Sequence, residues 1–188
     1  MFSGQKYAET TRGCPRVASL VLCNSFTDTA IFRYNDEATA MWLLPTLALK
    51  RMVMSGLQMG NTDVKISEAT EFILERLDSL GHSDLASRLT LSCLKGFVEP
   101  QNVNDLPVTI IDVFDECSLT QVTCFIHYYI SSQLKIIFQD VRDETYKFYP
   151  SAKLAHLKTG GNFPYLSRTE EINMFLLIHL RNFETAVA

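Results

Sequence analysis

The chain has no Cys-x-x-Cys pair, no long run of one charge, and no apolar stretch long enough to cross a membrane. Each absence closes off a class of function. Its five cysteines, an odd number spread over 188 residues, predict free thiols in a reducing compartment rather than a disulfide framework. Cys23 and Cys93 lie in apolar patterns that read as buried. No His-Glu-x-x-His or paired-cysteine spacing points to a metal. A net charge of −4 without basic blocks gives nucleic acid nothing to hold. The apolar run Val122 to Phe138 is shorter than the roughly 20 residues that a span needs. It also carries His127, Ser131, Ser132, Gln133 and Lys135. Met1 to Arg16 is polar and lacks an apolar signal core, which argues against secretion. There is also no Gly-x-Ser-x-Gly, the strained strand-to-helix turn that presents a hydrolase serine.

What is there has an ordinary globular balance, 47% hydrophobic and 20% charged, without repeats. That suits one domain with a real core. Val17 to Cys23, after Pro15, is a continuous apolar strand of the kind found in parallel sheets covered on both faces. Val108 to Val113, introduced by Pro107, and Lys153 to Leu157 read as two more. Helical patterns lie between them. Gly4 to Arg12 reads as the end of one helix. Ala38 to Met54 is apolar and interrupted by Pro45. A helix beginning at Ser67 has an apolar stripe of Ala69, Phe72, Ile73, Leu77 and Leu80, with Gly81 at its end. Ser83 caps another, with Leu85, Leu89 and Cys93 on one face. Asp140 to Phe148 is short and helical. Ser167 or Thr169 caps a last helix, with Glu170 and Glu171 at its positive end and Ile172, Phe175, Leu176 and His179 or Leu180 inward. Strands alternating with helices predict an α/β fold with a parallel sheet.

Four stretches carry a specific resemblance: PRVASLVLCNSFTDTAIF from Pro15, DSLGHSDLASRLTL from Asp78, LPVTIIDVFDE from Leu106, and HLKTGGNFPYLSRTEEIN from His156. They resemble the maspardin family of the α/β-hydrolase-fold superfamily, over nearly the whole chain except Val122 to Gln139. The resemblance implies the C-terminal portion of that fold: strands six to eight, flanking helices, and a helical lid over about 26–104, all in one incomplete domain over 1–188. The elbow and its serine would then lie upstream. An apolar strand that lacks its strand-five neighbour is an aggregation hazard, so poor solubility of the isolated chain, or a need for a partner, is expected. The family's association with the cytosol and with endosomal and trans-Golgi membranes implies peripheral membrane association without a transmembrane segment. The implied partner is a protein, a receptor cytoplasmic tail, and the implied role is negative regulation. No cofactor is implied.

Deleting 122–139 joins Gln121 to Asp140 and gives CSLTQDVRDETYKFYP, which keeps the family register without a gap. Every Val codon begins GT, and Gln139 can be encoded by a codon ending in AG. These are the marks of an intron read through as coding sequence. Amplifying the transcript across this junction tests the idea, which fails if every message carries the insert.

Against this frame the candidate site residues are Asp115 and Asn162, as vestigial catalytic positions. Asp115 follows the second strand, where a hydrolase carries its triad acid, and Asp112 and Glu116 are weaker candidates for that role. Asn162 follows Gly160-Gly161, where a hydrolase turn holds its general base. An amide has no basic nitrogen at neutral pH and cannot take a proton from a nucleophile. His156 lies six residues earlier on a strand, His82 in a connecting turn, and His179 in the last helix; none reads as a replacement base. Ser25 and Ser55 lie in turns without a base partner. Gly160-Gly161 does not match a phosphate loop and supplies unusual φ angles instead. Met41, Trp42, Leu43 and Leu44 read as lid packing onto the sheet, with an exposed partner patch as the alternative. The leading expectation is a non-catalytic interaction protein. The alternative is a fragment of a serine hydrolase of small esters or lipids.

Overall fold

The computed structural model describes residues 2–12, 16–29, 38–55, 57, 63–93, 96–115 and 142–184. The sheet is built from three strands, β1 (Leu20–Cys23), β2 (Val108–Val113) and β3 (Lys153–Leu157), all parallel and in the order β1-β2-β3. Leu20 pairs with Val108, and Asp112 with His156. The second and third strands fall where the sequence places them. The first is shorter, because Val17 to Ser19 lie outside the ladder. Leu20 N–H donates to the carbonyl of Pro107, and Pro107 has no N–H to continue pairing further back.

Alternation along β2 sorts the core into two layers. Val108 and Ile110 pack with Leu20, Leu22, Ala8 and Tyr149, beneath helix α1 (Phe2–Thr10). Ile111 and Val113 pack with Cys23, Ala155, Leu157 and Ile172, on the opposite face. Every β2 residue is buried, as expected of a central parallel strand. The first layer is tied by one amide. Gln5, fully buried, donates from Nε2 to Ser25 Oγ at 2.8 Å and to the Phe26 carbonyl at 2.9 Å, while Tyr149 Oη donates to its Oε1 at 2.8 Å.

Between β1 and β2 lies a helical layer: a 3₁₀ turn over Ala38–Trp42, then α2 (Thr46–Ser55), α3 (Val64–Asp78) and α4 (His82–Cys93). Pro45 separates the turn from α2, as its ring requires. This layer has a core of its own: Met41, Leu49, Leu77, Leu85, Ala86 and Leu89, with Leu44 packed against it. Trp42 and Leu43 point to solvent, and Met41 and Leu44 pack within this layer, so the expected packing of the four onto the sheet is corrected. The chain leaves and re-enters through adjacent backbone, where Asp28 bridges Phe97 and Val98 N–H donates to the Thr27 carbonyl at 2.9 Å.

Three expected helix starts are corrected. α3 begins at Val64, not Ser67, because Asp63 is its N-cap and accepts from the N–H groups of Lys65 and Ile66. Its inward face is Ile66, Ala69, Thr70 and Leu77, and Phe72, expected in the stripe, is exposed. α4 begins at His82, so Ser83 lies within it. A short helix over 142–148, α5, precedes β3. After β3 come α6 (Pro164–Ser167) and α7 (Thr169–Glu184). Thr169 is the first residue of α7, and Ser167 is buried and bonded elsewhere, so neither caps it from outside. Residues 116–141, which contain Glu116, His127 and the 122–139 insert, lie outside the described residues.

Candidate functional site

At the C-terminal ends of the strands, the loop after β3 makes the tight turn that Gly160-Gly161-Asn162 predicts. Gly161 has φ +63, a left-handed conformation suited to glycine. Gly160 has no room for a side chain, since a Cβ there would stand 3.0 Å from Pro164 Cβ and 3.4 Å from Val113 Cγ2. Three side chains clamp this turn. Asp115 Oδ2 accepts from Gly160 N–H at 2.9 Å and Gly161 N–H at 2.8 Å. Ser167 Oγ donates to the Gly160 carbonyl at 2.6 Å. Asn24, just past β1 and itself at φ 44, donates to the Gly161 carbonyl at 3.3 Å and accepts from Val113 N–H at 3.1 Å. Asn24 thus joins all three strand ends. Sequence reading gave it only turn chemistry; an Asn directly after a buried strand is the signal that it missed.

The structure therefore brings Asp115 to the turn that carries Asn162. Its observed partners there are backbone amides, a geometry that fixes the turn. Asn162 itself is partly buried.

The helical layer reaches the same turn. Ile66 of α3 lies over Gly161, where a Cβ would meet its Cγ2 at 3.1 Å. Beside it, Arg168 Nη2 forms an ion pair with Asp63 and donates to Thr159 Oγ1 at 2.7 Å. Asp63 thus caps α3 and holds the last loop with one carboxylate. The Arg168 guanidinium holds that carboxyl below the usual range, against a partial burial that works the other way. No local pattern announced this pair, which is 105 residues apart in sequence.

The described histidines lie elsewhere. His156 is exposed on the opposite sheet face from Ala155 and Leu157, with its ring edge-on to Phe114 at 4.8 Å. Its Nε2 lies 3.4 Å from Tyr146 Oη, which donates to Asp112 Oδ2 at 2.6 Å. Arg142 stacks on Phe114 at 4.1 Å and lies 3.8 Å from Asp112. Burial pushes the Asp112 carboxyl up, while the Tyr146 bond and the Arg142 and His156 charges oppose it. Asp112 is thus tied into α5, not into the turn. His82, the first residue of α4, has Nε2 2.8 Å from the Leu44 carbonyl. His179 is buried against Thr109 at 2.7 Å. Ser25 is buried and bonded to Gln5, and Ser55 ends α2. A groove of about 370 Å³ opens at the other end of the sheet, beside Pro107, Val108, Tyr149 and Ser151.

Comparison with known proteins places this arrangement. The chain is 47% identical to maspardin of Danio rerio over 182 residues, 97% of this chain and 53% of the relative. It is 46% identical to maspardin of Homo sapiens and 45% to that of Mus musculus over the same coverage. The chain is maspardin-like. It spans about half the length of the curated relatives that it matches. No family model matches this maspardin-like chain, and no solved structure does. Its α/β fold of three parallel strands with flanking helices is consistent with the α/β-hydrolase-like character of maspardin. Among the described residues, no helix is long and apolar enough to cross a membrane.

Proposed function

We propose that this maspardin-like chain is part of a non-catalytic α/β-hydrolase-fold protein that acts by binding other proteins. One observation carries the reading. The turn that the resemblance aligns with a hydrolase's general-base position is firmly clamped, and the residue at that position is Asn162. Its neighbour Asp115 has its carboxylate on two backbone amides. In this reading both are vestigial triad positions, and the helical layer belongs to a lid over about 26–104. α3 closes the lid onto the turn through Ile66 and the Asp63–Arg168 pair. A fold that keeps its shape without a proton acceptor suits recognition rather than turnover. The resemblance adds the class of partner, a receptor cytoplasmic tail, with negative regulation of signalling or endosomal and trans-Golgi trafficking as the role. Association with those membranes would then be peripheral.

A fluorophosphonate probe tests the reading on a protein of the relatives' full length. The expected result is no covalent labelling. A labelled serine, with labelling lost on its replacement by alanine, overturns the reading and leaves a serine hydrolase of small esters or lipids.

A further inference from the structure

Helix α7 has two apolar faces, and the sheet uses only one. Ile172 and His179 are buried, and Phe175 and Leu176 pack with Ile172 against the β2–β3 layer. On the other side Met174, Leu177 and Ile178 are 48%, 61% and 44% exposed. Their i, i+3, i+4 spacing makes a continuous stripe, and Leu180, 50% exposed, widens it on one flank. Glu170 and Arg181, both exposed, stand at its two ends. At about 100° per residue, Glu170, Met174, Leu177, Ile178 and Arg181 share an arc roughly 100° wide. An apolar stripe of this kind, bounded by charges, marks an interaction surface.

We propose that this face is the interface between two copies of the chain, paired through α7 in antiparallel fashion about a two-fold axis. The charges select this occupant. The stripe runs Glu170, Met174, Leu177 with Ile178, Arg181, and its midpoint falls between Met174 and Leu177. A two-fold axis there sets Glu170 of each copy against Arg181 of the other, and Met174 against Leu177 and Ile178. The surface is complementary to itself, which an isologous dimer requires. A parallel pair would set like charges together, and an unrelated partner would need no such symmetry. Each charge also suits its own helix dipole, acidic at the N-terminus and basic at the C-terminus, so the test must separate the two causes.

Sedimentation equilibrium of the full chain across the micromolar range gives the stoichiometry. The wild type is expected to be a dimer, and Leu177→Lys a monomer with unchanged far-UV circular dichroism. Glu170→Arg and Arg181→Glu should each weaken the dimer by about tenfold or more. Together they should restore it, because the swapped pairs re-form across the axis while both helix-dipole contacts stay reversed. A monomer at every concentration overturns the proposal. So does a dimer that Leu177→Lys leaves intact, or a double variant no tighter than the singles. If Leu177→Lys fails to fold, the charge swap alone decides.

Discussion

Replacing Asp115 by alanine removes the acceptor for two buried glycine amides. The bonds are 2.9 and 2.8 Å long and end on one carboxylate oxygen. A hydrogen bond to a charged group contributes about 1.5–3 kcal/mol, and a buried amide left without a partner costs a similar amount. Asp115 is itself only partly buried, so the low end applies to each bond. Asp115→Ala should therefore destabilise the fold by about 3 kcal/mol. Asp115→Asn keeps a neutral oxygen that can accept from both amides, and should cost only about 1 kcal/mol. Urea unfolding followed by far-UV circular dichroism measures both, provided that the slopes match and only the midpoints move. Two results refute the clamp: a loss below about 0.5 kcal/mol for alanine, or equal losses for alanine and asparagine. Either would return Asp115 to the role of an acid whose only use was to orient a base.

Gly161→Ala should cost about 2 kcal/mol, because its φ of +63 disfavours any side chain and the new Cβ would stand 3.1 Å from Ile66 Cγ2. The same unfolding assay reads it. His179 responds to pH. Burial and the nearby Lys153 hold its imidazole below the ordinary value, so the unfolded chain takes the proton more readily. Stability should be complete above about pH 6.5 and fall as the pH drops below it; thermal melts from about pH 7.5 to 5.5 should show this, with a flatter dependence in His179→Gln. Cys23 is buried, and burial with the Asp112 charge pushes its thiol up to about 12. Mass spectrometry after iodoacetamide at neutral pH should find it unmodified in the native chain and alkylated in urea.

The sheet was legible because its signals are local. Val108 to Val113 is an unbroken apolar run fenced by Pro107, and Lys153 to Leu157 ends at the glycine turn. Asn162 could be placed in its turn because two adjacent glycines permit the φ angles that a tight turn needs. The α3 boundary was not legible, since Ser67 followed by Glu68 imitates a cap while the working cap, Asp63, lies four residues earlier. Phe72 was placed inside because it follows Ala69 at helical spacing, whereas the buried face is centred on Ile66, Ala69, Thr70 and Leu77. The clamps on the turn were hidden for a different reason. Asn24 with Gly161 and Asp63 with Arg168 join residues more than a hundred positions apart, and such contacts exist only once the sheet and the helical layer have met.

The separate core of the helical layer bears on timing. Met41, Leu49, Leu77, Leu85, Ala86 and Leu89 share no member with the two cores against the sheet. The layer can therefore open as a unit while the strands stay paired, at a cost below that of global unfolding. Ile66 leaves with it, and Gly161 loses its cover. Access to the Asn162 turn is then set by an opening equilibrium rather than by a fixed cleft, and anything that binds the uncovered turn would favour the open layer and register in hydrogen exchange as faster exchange of the α3 amides.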